Sequence, residues 1–232
     1  MTRRRFVVGE DLALSADQAR QIASVLRLGP GDVVVLVSPF EEIDYRLVRV
    51  SATSVEGTVL ARRSVDAEPR RALTLGLPLL RGEHTELVIE SATQLGVQRF
   101  VPYVSARSVV RDVSAGKRGR WERIAREAVE TSRRARVPEI AALVPWDTLF
   151  EALDGRVLVA WEEEREVDLA DTLTAGPGAV SLVIGPEGGL AAEEIALARA
   201  AGATTVSLGR RPLRAETAAI AGVSRIVAGL DR

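Results

Sequence analysis

The sequence contains no cysteine, and His84 is its only histidine in 232 residues. Without thiols the chain forms neither disulfides nor thiolate metal sites, and it has no cysteine nucleophile. A single histidine leaves no histidine pair for zinc and disfavours a Ser-His-Asp triad. Most hydrolase and metal chemistry is therefore disfavoured, and we expect no bound metal.

Long apolar runs are also missing. No stretch approaches the roughly 18 apolar residues needed to cross a bilayer, and residues 1–6 lack the apolar core of a signal peptide. The chain is nevertheless 47% hydrophobic, which is enough for a substantial core in one large domain or two small ones. These features predict a folded, cytoplasmic protein that has no membrane partner.

Lysine is almost absent, because Lys117 is the only one, and the formal net charge is -1. A polyanion would therefore have to be recognised by a local patch. Residues 107–136 contain ten Arg or Lys against four acids, whereas residues 161–171 are acidic. The planar guanidinium fork suits phosphate and stacks on bases, although a genomic preference for arginine explains the excess equally well. We interpret the first part of this acidic stretch, Trp161-Glu162-Glu163, as a solvated acidic loop that could still reach a ligand crevice.

Residues 1–70 are predicted to form a small β-rich module. Ser15 and Gln18 make a capping box, and the apolar residues that follow at helical spacing predict one helix over residues 16–27. Residues 33–37, 46–50 and 55–60 then have the composition of short strands. The chain becomes polar and acquires a proline at residues 66–71, where we place a domain boundary.

Residues 71–232 have a different pattern, in which strands alternate with helices. This pattern is typical of an α/β fold with a mainly parallel sheet. The predicted strands cover residues 72–80, 99–104, 157–160, 181–184 and 204–208. The predicted helices cover residues 83–95, with Gly96 as the cap, 118–134 and 216–230.

Two glycine-containing loops follow predicted strands: G-P-E-G-G at residues 185–189 and L-G-R-R-P-L-R at residues 208–214. Ligands of open α/β sheets bind beyond the carboxyl ends of the strands. Neither loop has the Walker A or dinucleotide pattern, and Glu187 would repel a phosphate held on backbone amides. The loops suit a neutral or cationic ligand, of which S-adenosylmethionine (SAM) is one. The alternative is a tight turn with Glu187 beside a helix N-terminus.

Five stretches that extend nearly end to end read VLRLGPGD, ESATQLGVQRFVP, RARVPEI, LVIGPEGGLAAEEI and VSLGRRPLRAETAA. Together they resemble the RsmE family, the methyltransferases of uridine N3 in 16S ribosomal RNA. The resemblance implies a C-terminal SPOUT-type α/β domain with a trefoil knot, and an N-terminal PUA-like β-barrel that binds RNA. It further implies SAM as the cofactor, a homodimer, and 16S ribosomal RNA, in the small ribosomal subunit, as the partner.

The same resemblance implies site residues by position. The implied cofactor-binding residues are Leu182, Ile184, Gly185, Glu187, Gly188, Gly189, Leu208, Gly209, Leu213 and Arg214. The implied RNA-binding residues are Arg4, Arg27, Arg134 and Arg136. The chain departs from the family at Ser91 and Gln94, where lysine and glutamate are common, and at His84, a place that is often lysine. We therefore assign no function to that helix.

Methylation of N3 of uridine makes two chemical demands beyond positioning, namely removal of the N3 proton and stabilisation of negative charge on the uracil. Arg214 is the candidate for charge stabilisation through its forked donors. Glu216 is the candidate base, although a glutamate in a first helical turn also interacts with the helix dipole. His84 lies far in sequence from both loops and is disfavoured as the base.

Two other functions stay open at this point. The first is a methyltransferase that uses the same cofactor and methylates a ribose hydroxyl or another base. The second is an RNA-binding protein that has lost catalysis. Cofactor binding would separate this last possibility from the two enzymes.

Overall fold

A computed structural model describes residues 4–39, 41–65, 67–173 and 178–230, and the chain divides into two compact units. Unit 1 comprises Met1–Glu68 and Val129–Arg136, and unit 2 comprises Pro69–Ala128 and Val137–Arg232. The boundary predicted at residues 66–71 includes Asp66, which lies outside the described residues. The domain assignment of residues 1–70 as an RNA-binding module and 71–232 as a methyltransferase domain remains a prediction.

Unit 1 contains a four-stranded sheet in the order β1-β2-β3-β4. Its first two strands are parallel, and the other pairs are antiparallel. Phe6, Ile22, Leu36 and Ile43 belong to its buried apolar core. The strands are β1 (Arg5–Val7), β2 (Val33–Ser38), β3 (Glu41–Val50) and β4 (Val55–Ser64).

The helix predicted over residues 16–27 is divided into two parts. The capping box is present at Ser15, and α1 covers Ala16–Arg20. A π-helical turn, Gln21–Val25, follows and replaces the rest of the predicted α-helix. In this turn the N–H of Leu26 donates to the carbonyl of Gln21, five residues back, at 2.9 Å. Such i to i−5 bonding is not visible in the apolar spacing that predicted a single helix.

The second segment of unit 1 is anchored by Glu68. The buried Arg134 guanidinium donates to this carboxylate, with Nη2 2.7 Å from Oε2. The backbone N–H groups of Ala135 and Arg136 donate to Oε1 at 3.1 and 3.2 Å. Because a buried guanidinium is costly unless it is paired, this ion pair fixes where the segment lies in the unit.

Unit 2 contains a seven-stranded parallel sheet in the order β11-β9-β10-β5-β6-β7, with β8 also paired with β6. Parallel sheets are normally buried on both faces, and β5 and β10 are accordingly buried along their whole length. The strands are β5 (Leu73–Pro78), β6 (Arg99–Val104), β7 (Glu139–Ile140), β8 (Val144–Pro145), β9 (Arg156–Ala160), β10 (Val180–Ile184) and β11 (Thr204–Val206).

Helices alternate with these strands. Gly96 caps the first helix of unit 2 in the left-handed conformation, as predicted. In the described part of the chain, every helix is too short or too polar to cross a membrane. The helices are α2 (His84–Leu95), α3 (Ala115–Ser132), α4 (Trp146–Leu149) with a 3-10 turn (Phe150–Ala152), α5 (Leu169–Thr172), α6 (Ala192–Ala200) and α7 (Ala215–Leu230).

Candidate functional site

A cavity of about 750 Å³ lies in unit 2. It is lined by residues that follow β5, β9, β10 and β11, which are four adjacent strands of the parallel sheet. This is the edge where the carboxyl ends of parallel strands meet, the usual ligand site of open α/β sheets. The volume falls within the range of small-molecule sites.

The first three residues of the G-P-E-G-G loop at residues 185–189 form one wall of this cavity. The N–H of Gly189 donates to the carbonyl of Pro186 at 2.8 Å, which closes a tight turn. Gly189 has φ of 71°, and a Cβ at this position would collide with Oε1 of Glu162. Glu187 accepts the backbone N–H of Arg81 at 2.9 Å. One oxygen of the Glu187 carboxylate therefore connects this loop to the loop that follows β5.

The second glycine loop lies between β11 and α7. Gly209 adopts a left-handed φ of 111°, and its N–H donates to Oγ of Ser207 at 3.1 Å. The backbone of Ser207 bonds on both sides, donating to Val167 at 2.8 Å and accepting from Leu169 at 3.0 Å. These two bonds form an isolated parallel bridge between Ser207 and Asp168, after β11 itself has ended at Val206, two residues earlier than predicted. The loop is thus anchored at its start and leads into α7.

Glu164 organises a third wall, the loop that follows β9. Its Oε1 accepts three successive backbone N–H groups, those of Arg165, Glu166 and Val167, at 3.0, 2.9 and 3.4 Å. Its Oε2 accepts the hydroxyl of Thr205 at 2.6 Å. The Thr205 hydrogen bond and then the backbone N–H groups lower the pKa of Glu164, against the opposing effect of burial. The acidic stretch is therefore an ordered cavity wall as well as a surface loop.

Charged groups of both signs face the cavity. His84 and Glu216 lie side by side there, with Nδ1 of the histidine 3.5 Å from Oε1 of the glutamate. Among the described residues, no group of three histidine, aspartate or glutamate side chains could hold a metal ion. The charged lining residues are Arg81, Arg165, Arg210, Arg211, Arg214, Glu162, Glu163, Glu187 and Glu216.

The position of His84 differs from the expectation based on its distance along the chain. It begins α2, which follows β5, whereas Glu216 lies in the first turn of α7. Because α2 and α7 pack together, the fold brings these two side chains to one cavity. The position of His84 at the cavity could have been predicted from strand order, because a residue just beyond the carboxyl end of a central parallel strand lies at the edge of the sheet where ligands bind.

The cavity contains seven of the implied cofactor-binding residues: Ile184, Gly185, Glu187, Leu208, Gly209, Leu213 and Arg214. The other three are placed elsewhere. Leu182 is fully buried in the core, two residues before the end of β10 and against Gly222 of α7. The carbonyl of Gly188 accepts a hydrogen bond from the Arg107 guanidinium at 3.2 Å. Gly189 lies against the Glu162 carboxylate, where a Cβ would not fit.

Several lining residues were not among the implied site residues, although Trp161, Glu162 and Glu163 belong to the stretch that was expected to be able to reach a ligand crevice. Some precede or follow the motifs directly, whereas Arg81 and Arg165 follow other strands and carry no motif of their own. Only the strand order of the sheet identifies this second group. The additional uncharged lining residues are Ala160, Trp161, Pro186, Ser207, Pro212, Ala215 and Ala218.

The four implied RNA-binding arginines all belong to unit 1. Arg4, Arg27 and Arg136 are exposed. Arg134 is only 1% exposed, and its guanidinium is paired with Glu68. The structure therefore corrects the expectation for Arg134, because its charge is used inside the unit and does not face solvent.

Comparison with known proteins identifies the family. A family model described as RNA methyltransferase domain matches residues 67–227. Ribosomal RNA small subunit methyltransferase E of Mycobacterium tuberculosis is 34% identical over 94% of this chain and 86% of its own length. The Bacillus subtilis protein of the same name is 30% identical over 97% of this chain and 93% of its own. The chain belongs to the ribosomal RNA small subunit methyltransferase E family.

Solved structures agree with this membership. The methyltransferase E of Neisseria gonorrhoeae, bound to SAM, superposes with a TM-score of 0.84 at 27% identity, covering 96% of this chain and 95% of that one. A Legionella pneumophila protein, also in complex with SAM, gives a TM-score of 0.90 at 27% identity over 98% of both chains. The predicted family and fold class, a SPOUT-type α/β domain with an N-terminal β module, are confirmed.

Proposed function

We propose that the protein transfers a methyl group from SAM to N3 of a uridine in 16S ribosomal RNA. The observation that supports this most strongly is the cavity at the carboxyl edge of the sheet, built by two glycine loops in a chain of the methyltransferase E family. Related structures hold SAM, and this chain has a cavity of suitable size and chemistry.

The lining residues fit SAM. Ile184, Leu208 and Leu213 provide apolar surface for the uncharged part of the ligand, and the backbone of Gly209 is open to close approach. Glu187 and Glu162 place carboxylates in a cavity that would hold a cation. When bound, SAM supplies a methyl group on a positively charged sulfur. The protein's part is to position the uracil, bind its charge and accept its proton.

Arg214 stabilises the negative charge that develops on a uracil carbonyl oxygen when the N3 proton leaves. It is exposed in the cavity immediately before α7, and its guanidinium makes no hydrogen bond or ion pair with any described residue. Removing one preorganised donor of this kind typically costs about 10²- to 10³-fold in kcat. We therefore expect Arg214→Ala to lose at least this much methyl transfer while retaining SAM binding, as measured by calorimetry.

The Arg214→Lys variant is the matched control for this prediction. It keeps the positive charge and loses the forked donors, so it should recover part of the activity. Near-normal transfer by Arg214→Ala would remove this residue from the mechanism.

Glu216 accepts the N3 proton, and the nitrogen electron pair then forms the new bond to the methyl carbon as the sulfur–carbon bond breaks. Its carboxylate is 13% exposed, which keeps it accessible from the cavity, and the neighbouring His84 offers a route for the proton to solvent. We expect Glu216→Gln to lower kcat by roughly 10²-fold or more with little change in SAM affinity. Glu193→Gln, an exposed glutamate in the first turn of α6, should be unaffected.

Radiolabelled methyl transfer to small ribosomal subunits from a strain that lacks this gene tests the function directly. The modified nucleoside should be 3-methyluridine by mass spectrometry. A labelled ribose or a different base would instead support the alternative acceptor, and SAM binding without transfer to any base would contradict this activity. Absence of SAM binding would favour a non-catalytic RNA-binding protein.

The partner of the enzyme is 16S ribosomal RNA within the small subunit, and the enzyme acts in the cytoplasm as a homodimer. The exposed arginines Arg4, Arg27 and Arg136 of unit 1 contribute to RNA binding. Light scattering of the purified protein measures the oligomeric state. A mass of one chain at micromolar concentration would contradict the dimer.

A further inference from the structure

Two consecutive arginines lie at the cavity with no assigned role. Arg210 and Arg211 are exposed, and both line the cavity within the loop that joins β11 to α7. Within the part of the chain that the structure describes, neither guanidinium makes a hydrogen bond or an ion pair. The carboxylates that line the cavity do not pair with these two arginines, so both guanidinium groups are available to a ligand.

The cofactor does not account for two free guanidinium groups. SAM is positively charged at sulfur and at its amino group, and its single carboxylate can occupy only one arginine fork. Arg214, four residues beyond Arg210, already places a third fork in the same cavity. An arginine pair beside a cation-binding site therefore indicates a second, anionic ligand.

The start of the loop that bears these arginines is held by hydrogen bonds within the protein. Gly209 donates to Oγ of Ser207 at 3.1 Å, and the Ser207 backbone is fixed to Val167 and Leu169. On the other side, Pro212 restricts its own φ to near −65°. Restricted loops lose less conformational entropy on binding, so this segment is suited to hold a ligand at a defined position.

We propose that Arg210 and Arg211 form a phosphate subsite that binds the RNA backbone next to the target uridine. The inference rests on the proposed function, since it assumes that the base enters this cavity. A nucleotide whose base lies inside leaves its phosphates near the entrance, where exposed guanidinium forks bind them. The formal net charge of the protein is -1, so this local pair supplies attraction that the whole chain lacks.

Binding of a short, fluorescein-labelled single-stranded oligouridine, followed by anisotropy at several salt concentrations, tests the subsite. Each phosphate contact in a single strand contributes about 0.7 to the slope of log K against log salt. Arg210→Ala/Arg211→Ala should therefore lower the slope by about 1.4 and weaken binding roughly tenfold or more. The Lys/Lys double variant should retain most of the slope, because it keeps both charges.

A neutral probe identifies phosphate as the group that is bound. With methylphosphonate linkages in the same oligonucleotide, the wild-type protein and the Ala/Ala variant should bind equally. A difference that persists with the neutral probe would overturn the proposal, because the arginines would then contact bases or riboses. An unchanged slope for the charged probe, or no binding of it by the wild-type protein, would overturn it as well.

Control measurements separate the subsite from other roles of the loop. Arg49→Ala removes an exposed arginine of β3 that is paired with Glu56, and its slope should match the wild type. SAM affinity by calorimetry and mass by light scattering should be unchanged in the Ala/Ala variant. A lower SAM affinity would assign the arginines to cofactor binding, and a smaller mass would assign them to subunit association. Either result would overturn the proposal. These assays do not need methyl transfer, so failure of the proposed function appears separately, in the ribosomal subunit assay.

Discussion

At the scale of single residues, we expect Glu164 to stabilise the folded protein by an amount that depends on pH. Its carboxylate accepts three backbone N–H groups of its own loop and the hydroxyl of Thr205 in β11. Glutamine at this position would place an NH2 donor against one of these donors. Because hydrogen bonds to a charged group each contribute about 1.5–3 kcal/mol, we expect Glu164→Gln to lower the free energy of unfolding by at least about 1.5 kcal/mol at pH 7.

The pH dependence of this loss has a definite sign. The pKa of Glu164 is lowered in the folded protein, so its stabilising effect is complete above the ordinary value of 4.5 and disappears as the pH falls through the lower folded value. Urea unfolding at a series of pH values should show the wild type and Glu164→Gln converging in acid. Glu163→Gln changes the exposed neighbouring residue and should alter stability by less than about 0.5 kcal/mol throughout. A constant gap between wild type and Glu164→Gln at all pH values would contradict this account.

Tyr103 shows how a residue outside the cavity supports it. Its hydroxyl is buried and donates to the carbonyl of Ile184, the last residue of β10. Burial, with a smaller effect of Glu194, raises the pKa of Tyr103 well above its ordinary value. The side chain therefore remains a neutral donor, and it satisfies a carbonyl at the point where the sheet ends and the first glycine loop begins.

At the scale of elements, the close approach of α7 to β10 depends on Gly222. A Cβ at this position would lie 2.7 Å from Cδ2 of Leu182, which is fully buried, and 3.7 Å from Cδ2 of Leu208 at the cavity. Overpacking of this kind typically costs 1–3 kcal/mol. We expect Gly222→Val to lower the melting temperature by several degrees and to weaken SAM binding, measured by calorimetry.

The same helix offers a control for this prediction. Ala228→Val introduces the same β-branched side chain at an exposed position of α7 without the clash. Because Ala→Val has a helix-propensity cost that Gly→Val lacks, a greater loss of stability in Gly222→Val would come from the clash. If both variants lost the same amount of stability relative to the wild type, close packing at Gly222 would not be the cause of the loss in Gly222→Val.

Elements with strong local signals could be predicted from sequence, and elements that depend on distant partners could not. The helix that became α2 has apolar residues at helical spacing and a glycine cap, and β6 was predicted with its observed bounds, Arg99–Val104. The two-residue strands β7 and β8 exist only because β6 pairs with them, so nothing local marks them. The π-helical turn after α1 likewise follows from bonds that apolar spacing does not encode.

At the scale of the whole molecule, the candidate site could be predicted in part. The two glycine loops have recognisable motifs, and seven of the ten residues implied as cofactor ligands line the cavity. Arg81, His84 and Glu164 have no such motif, and their importance follows from the order of the strands in the sheet. The buried position of Arg134 was also unpredictable, because its partner Glu68 is distant in sequence. Sequence motifs identify loops, whereas strand order determines which other residues meet them.

The return of Val129–Arg136 to unit 1 limits how this protein can be divided by recombination or proteolysis. Ala135 packs against Val35 and Val37 of β2, and Glu68 pairs with the Arg134 guanidinium. A gene fragment ending at residue 68 would therefore encode a sheet that lacks part of its own apolar cover. Residues 1–68 alone therefore do not contain the whole N-terminal unit, and we expect exchange between homologous genes to preserve this unit best when both segments come from the same parent.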